Sequence, residues 1–302
     1  MHIYALLFAY IIFCIFEKNI FENLKKELVM KRIIVITVSL IMLLSIGSKA
    51  IGETPENCSN VMPTHSETTA YNWYCKKTSD HSQPNLDNML FIPENTNTFF
   101  VDTNHSNFND KDKIIYLTFD AGYENGNISK ILDTLNNHKV TGAFFILENL
   151  VKRNPELVKR MADEGHLICN HTASHCDMSK ITEKESFFEE LEKLNKICKE
   201  SLDIEVSKFY RPPEGRYSEL NLKHATELGY KTIFWSFAYA DWDNNEQLAP
   251  EAAINKILAG THNGEILLLH PTSSTNAAIL DDLITHWKSE GFRFGSLEEL
   301  CK

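Results

Sequence analysis

The chain has 302 residues, enough for one large α/β domain and an extension. Its 30 basic and 41 acidic residues give a net charge of −11, which argues against a nucleic-acid partner, since that would favour a basic face. Hydrophobic content is that of a globular protein, and the charge balance suits a neutral or mixed-charge substrate.

The N-terminus carries two apolar runs, Ile3 to Phe16 and Ile33 to Ile46. The second follows Lys31-Arg32 and exits at Ser48-Lys49-Ala50, the basic, apolar and small-residue order of a secretory signal. Met30 stands directly before that basic pair and reads as the true start, with the first run an upstream extension of the frame. The competing reading keeps one or both runs as membrane anchors, although each is shorter than the ~20 apolar residues a spanning helix needs. Residues 1–50 are thus expected to be a leader, and the protein is expected to be exported to the cell wall or the outer face of the membrane, with the spore cortex space as one such place.

Residues 51–112 are rich in Asn, Thr, Ser, Asp and Pro and read as a linker and a loose extension. That extension is expected to pack on the main domain through Trp73, Tyr74, Phe91, Phe99 and Phe100. Its Cys58 and Cys75 are near enough in sequence to pair, though connectivity is not legible in a sequence. Cys176 adjoins His175 but reads as a small core residue, because helical neighbours point in different directions.

From Lys113 the pattern changes. Ile114 to Phe119 reads as a buried strand, and Ile128, Ile131, Leu132 and Leu135 then recur at helical spacing. Gly142 to Leu147 is the next strand. Pro155 opens a helix that ends near Gly165, with proline in the first turn and glycine past the last. Leu167 to Asn170 is a third strand, and an amphipathic helix runs from about Glu183 to Glu200. Lys208 to Tyr210 is a short strand, Glu219 to Leu228 a helix closed by Gly229. Thr232 to Phe237 and Ile266 to Leu269 are strands, each followed by a helical stretch. About seven β/α units in a row predict a parallel sheet with helices outside. A barrel is favoured over an open sheet because no glycine-rich dinucleotide turn follows the first strand.

Polar residues follow these apolar runs in register. Asp120 ends the first strand, His171 and His175 follow the third, and Arg211 follows Phe209-Tyr210. Asp241 lies past Phe237, and His270 ends Ile266 to Leu269. Two imidazoles four apart share a face if their segment makes one helical turn, and can then reach one metal ion. Singly, such an Asp is more often a helix cap, such a His a structural residue and such an Arg a surface charge. Five in register at the C-terminal ends of parallel strands share one barrel rim, where active sites are built.

These residues carry a resemblance. Thr118-Phe119-Asp120-Ala121-Gly122-Tyr123, His171-x-x-x-His175, Arg211-Pro212-Pro213-Glu214-Gly215, Asp241-Trp242 and Leu268-Leu269-His270 resemble the five ordered motifs of the polysaccharide deacetylases, the NodB-homology carbohydrate esterases of family 4. The resemblance spans residues 113 to 301 and implies a distorted (β/α)7–8 barrel. Gly122 to Gly126 and Phe234 to Asp243 are most similar to the muramic δ-lactam de-N-acetylases of endospore formers, which deacetylate N-acetylmuramic acid in spore-cortex peptidoglycan before lactam closure.

The resemblance implies a role for each residue. His171 and His175 would hold a divalent metal, with zinc the expected ion, that polarises the acetyl carbonyl and lowers the pKa of bound water. Asp120 would be the general base and Arg211 would orient it and keep it ionised. His270 would be the general acid, raised by Asp241. Backbone N–H groups after Pro212-Pro213 would supply part of the oxyanion hole. Tyr123, Pro213, Glu214 and Trp242 would contact the sugar, with a core aromatic as the alternative reading of Trp242. Two departures stand out. The family places Asp, the third metal ligand, where this chain has Ala121, leaving two protein ligands where catalytic zinc normally keeps three; the muramic subgroup departs from Asp there too. Glu214 replaces the aromatic or basic residue common after Pro-Pro.

The expected function is therefore an exported hydrolase acting on peptidoglycan glycan strands, removing acetyl from N-acetylmuramic acid. The alternatives are a deacetylase of N-acetylglucosamine in peptidoglycan or chitin-like oligomers, and a non-catalytic glycan-binding module. The retained acid–base residues speak against the last. Contact with a membrane is expected only through an uncleaved leader.

Overall fold

The computed structural model describes residues 66–78 and 80–302; the leader and Cys58 lie outside them. Strand β1 (Tyr71–Asn72) and β2 (Thr98–Phe99) precede β3 (Lys113–Ala121), whose nine residues are almost wholly buried. There follow α1 (Ile128–His138), β4 (Ala143–Ile146), α2 (Glu148–Arg153), α3 (Pro155–Asp163), β5 (Leu167–Asn170) and α4 (Lys184–Leu202). Then come β6 (Ser207–Tyr210), β7 (Arg216–Tyr217), α5 (Glu219–Glu227) and β8 (Lys231–Ile233). The chain closes with α6 (Pro250–Gly260), β9 (Glu265–Leu269), α7 (Ser274–Ser289), β10 (Phe292–Phe294) and α8 (Leu297–Leu300).

The helices that the sequence predicts form, and the short α2 and α8 add to them. In α1, Ile128, Ile131, Leu132 and Leu135 are buried on one stripe, and Lys139 ends the helix in the left-handed conformation. Pro155 sits in the first turn of α3. In α4, Phe187, Leu191, Leu194 and Cys198 recur at three and four residues and face inward.

The main sheet runs β10-β3-β4-β5-β6-β8-β2, with β9 on the other edge of β3, and all of these pairings are parallel. Phe237 bridges Leu267 of β9 in parallel, so the sheet curls back toward its own start as an incomplete, distorted barrel. β1 and β7 form a separate antiparallel pair.

Period-two alternation along β3 decides what faces where. Ile115, Leu117, Phe119 and Ala121 pack with the helices in one cluster; Ile114 and Tyr116 point into the barrel with Phe145, Cys169, Phe209 and Ile266. Each such fully buried side chain contributes roughly 1.5–3 kcal/mol. Thr118 and Asp120 continue the inward series, which carries Asp120 to the C-terminal rim.

Three expectations need correction. The strand expected from Thr232 to Phe237 ends at Ile233, because the Ile233 and Phe234 carbonyls turn to accept hydrogen bonds from Arg211 (2.9 and 3.1 Å). In the extension Trp73 is buried, while Tyr74 and Phe91 are 43% and 41% exposed. Cys75 is half-buried with a free thiol among the described residues, and the suggested pairing with Cys58 lies outside them. Cys176 is half-buried, with Sγ 3.4 Å from Met178 Sδ.

Candidate active site

Asp120 is held from below. The Arg211 side chain is wholly buried at the end of β6 and donates from Nη1 to Asp120 Oδ1 at 2.8 Å and from Nη2 to Thr118 Oγ1 at 2.9 Å. Its guanidinium also stacks 4.2 Å from the Phe145 ring centroid. Thr118 in turn donates to the Leu267 carbonyl at 2.7 Å, so one cation ties β3 and β6 to the segment after β8. Burial would raise the Asp120 carboxyl, but the charge of Arg211, with His171 and His270, outweighs it and holds the group below its ordinary value. Asp120 is therefore an ionised carboxylate at neutral pH, with Oδ2 left free of the guanidinium.

His171 and His175 lie in a loop after β5, not on a helical turn. Thr172 and His175 have positive φ (72° and 59°), which a helix forbids. Side chains hold that loop: Asn170 Oδ1 accepts from Thr172 N at 2.8 Å, and Thr172 Oγ1 from His175 N at 3.0 Å. The two rings still meet edge to face, centroids 5.1 Å apart. His171 is buried, and desolvation drops it to about 4, so it is neutral. Its Nδ1 lies 2.9 Å from the Arg211 carbonyl, an acceptor that places the proton on Nδ1 and leaves Nε2 a bare lone pair, 3.6 Å from Asp120 Oδ2. A neutral imidazole oriented by a carbonyl is the state a metal ligand requires. His175 is exposed at the same mouth. These donors fit a divalent ion at two points. Ala121 is fully buried among apolar helix-side neighbours and offers no donor, and among the described residues no group of three His, Cys, Asp or Glu converges.

His270 follows β9 and is seized by Asp241. Asp241 Oδ1 lies 2.7 Å from His270 Nδ1, and Oδ2 accepts from the His270 backbone N–H at 2.8 Å. Asn276, from the first turn of α7, donates to Asp241 Oδ2 at 2.6 Å, and Tyr239 Oη donates to Asn276. Burial disfavours the imidazolium, yet the hydrogen bond and charge of Asp241, with Asp120, lift His270 above its usual value. The two carboxylates thus take opposite tasks: one stays a free base, the other serves to keep an imidazole protonated.

Asp120, His171, His175 and His270 line one cavity of about 1100 Å³. Tyr123, Glu214, Trp235 and Trp242 line it too, and Trp242 is 63% exposed, which settles against its reading as a core aromatic. Pro213 is a correction: it is buried beneath the wall, while Glu214 and Gly215 face the cavity. Arg211 and Asp241 lie behind the wall and act through Asp120 and His270.

The Pro-Pro turn narrows the oxyanion expectation. Gly215 N donates to the Pro212 carbonyl and Arg216 N to the Pro213 carbonyl, leaving the Glu214 N–H with no backbone acceptor among the described residues. Gly215 has φ 66°, and a Cβ there would stand 2.9 Å from both Trp235 and Trp73, so only glycine permits the turn. Sequence reasoning missed Asn276, whose only signal is its place in the turn after His270. It also missed Lys77 and Lys256, which line the cavity from the extension and from α6.

The chain is similar to proteins of known family. Residues 107–233 match the family model described as polysaccharide deacetylase. Peptidoglycan-N-acetylmuramic acid deacetylase PdaA of Bacillus subtilis is 40% identical over 230 residues, covering 76% of this chain and 85% of that protein. The solved structure of B. subtilis PdaA, a family 4 carbohydrate esterase, superposes with a TM-score of 0.71 at 39% identity, covering 77% of this chain and 97% of that one. A peptidoglycan-N-acetylglucosamine deacetylase of Bacillus cereus is 34% identical over 190 residues, 62% of this chain and 67% of its own.

Proposed function

We propose, for a chain that belongs to the polysaccharide deacetylase family, that its reaction is removal of the N-acetyl group from N-acetylmuramic acid residues of peptidoglycan. The chain is a hydrolase of family 4, a peptidoglycan de-N-acetylase. The observation that carries the reaction type is the pair of opposed ion pairs, Arg211–Asp120 at 2.8 Å and His270–Asp241 at 2.7 Å, opening on one cavity.

In this reading Asp120 takes the proton of the attacking water, since Arg211 keeps it ionised and its second oxygen faces the cavity. The Glu214 N–H meets the carbonyl oxygen as it gains charge. His270, protonated with the help of Asp241, gives its proton to the departing amine nitrogen, and Asp120 ends with the proton of the water. Atoms balance as acetic acid plus a free amine, and return of the Asp120 proton to His270 restores the starting protonation states. His171 and His175 would hold a divalent ion, zinc first, which supplies carbonyl polarisation and a more acidic water. Tyr123 and Trp242 offer exposed aromatic faces to the sugar.

Muramic rather than glucosamine specificity is supported by the 40% identity to PdaA and by Ala121, where the muramic subgroup also departs from Asp. The B. cereus relative supports glucosamine as the second reading. Export, a leader over residues 1–50 and a place in spore-cortex lactam formation belong to the same proposal. The apolar run after Lys31-Arg32 and the subgroup resemblance support them.

Peptidoglycan stripped of stem peptides and treated with the protein decides the sugar by mass analysis of the digested disaccharides. Loss of about 42 Da, the C2H2O removed when hydrogen replaces an acetyl group, is expected on muramic acid. Loss confined to glucosamine would sink the reading.

A further inference from the structure

The cavity holds two cations that deacetylation leaves unused. Lys77 comes from the extension and Lys256 from α6, and both line the space that holds Asp120 and His270. The cavity's carboxylates are already engaged, Asp120 by Arg211 at 2.8 Å and Glu214 by Arg216 at 3.0 Å. Neither lysine has a carboxylate partner among the described residues, and both are exposed to the cavity's solvent. Partial burial and then the charge of Lys256 pull the Lys77 ammonium below its usual value. Lys77 Nζ sits 5.8 Å from the Phe237 ring centroid, against an aromatic wall that supplies no counterion. In a chain of net charge −11, two like charges left uncompensated in a ligand cleft gain from a bound anion.

We infer that Lys77 and Lys256 form an anion subsite that takes a carboxylate of the glycan strand, namely the free lactyl carboxylate of a muramic residue without its stem peptide. The inference rests on the muramic reading above. N-acetylglucosamine carries no acid, whereas the 3-O-lactyl ether of muramic acid ends in a carboxyl that is either free or tied up as an amide. Ammonium point charges suit a single carboxylate, with no fork geometry to satisfy.

The test compares wild type with Lys77→Ala/Lys256→Ala and Lys77→Arg/Lys256→Arg on three muramoyl oligomers. One has the free lactyl carboxylate, one has it capped as a methylamide, and one bears an intact stem peptide. Wild type is expected to prefer the free carboxylate over the capped form by about tenfold in kcat/KM, carried by KM and reduced by salt. The alanine pair loses that preference and the arginine pair keeps it. An unchanged preference in the alanine pair overturns the subsite. Dependence on the lysines for the stem-bearing oligomer alone makes the bound acid a peptide carboxylate and overturns the lactyl assignment. A wild-type protein that leaves all three untouched and deacetylates only N-acetylglucosamine oligomers overturns the muramic reading instead, before any lysine is changed.

Discussion

Replacing Arg211 with methionine removes a charge while keeping most of the volume. Asp120 is only 9% exposed, so it is left as a buried carboxylate whose partner is gone. Removing one member of a buried pair costs about 3–5 kcal/mol. The Ile233 and Phe234 carbonyls, both in buried residues, lose their donor as well, at about 1–3 kcal/mol for each that water does not reach. Against a total of about 5–15 kcal/mol, the variant is expected to be barely folded. Urea unfolding of Arg211→Met, Asp120→Asn and the double variant measures the coupling. The double variant should be more stable than the summed losses require, by about 2 kcal/mol or more. The sign with pH also follows. A carboxyl depressed in the folded state contributes stability above its unfolded value of about 3.9 and loses it as pH falls through the folded value. The gap between wild type and Arg211→Met should therefore narrow below about pH 4. A loss under about 1 kcal/mol for Arg211→Met, or strict additivity in the cycle, would refute the ion-pair account.

Asp241→Asn should move the alkaline limb of the kcat/KM–pH profile to lower pH, because His270 loses the carboxylate that lifts it; an unmoved limb assigns the acid elsewhere. The accompanying stability deficit should be largest in acid and shrink as pH rises through the folded His270 value, since a raised imidazole stabilises only while protonated. His175→Ala, at an exposed position, should leave the unfolding free energy within about 0.5 kcal/mol of wild type and yet abolish turnover and zinc binding by calorimetry; full activity in the metal-free protein would remove the metal from the proposal. Gly215→Ala should lower both stability and kcat, since the new methyl meets Trp73 and Trp235 and shifts the Glu214 N–H; wild-type kinetics would separate that turn from catalysis.

The legible part of this fold is periodic. Two-residue alternation along β3 puts Asp120 on the inner rim, and the helical stripe of α1 and α4 covers the outer face. Polar residues at strand ends announce themselves because the apolar runs around them are long. What the sequence hides lies where periodicity fails. β2 is two residues long and joins the sheet beside β8, leaving no pattern to read. The run after Ile233 has strand composition but surrenders its carbonyls to a guanidinium from another element. The spacing of His171 and His175 suggests a helical turn, whereas side-chain hydrogen bonds from Asn170 and Thr172 set the real backbone. Lys77 and Lys256 are 179 positions apart in a sequence with many lysines, and only the fold brings them to one cavity.

The left-handed residues of the histidine loop have an evolutionary consequence. Thr172 and His175 each hold a backbone state that costs of order 1–3 kcal/mol outside glycine. That energy weighs against heat tolerance, and within the loop it is offset by the burial of Ala173 in the core and by the side-chain hydrogen bonds of Asn170 and Thr172. Lineages selected for thermal endurance alone would relax this loop among the first, by substitution at Thr172 or His175 or by shortening. The imidazole pair would drift apart, and a stable, inert barrel would remain.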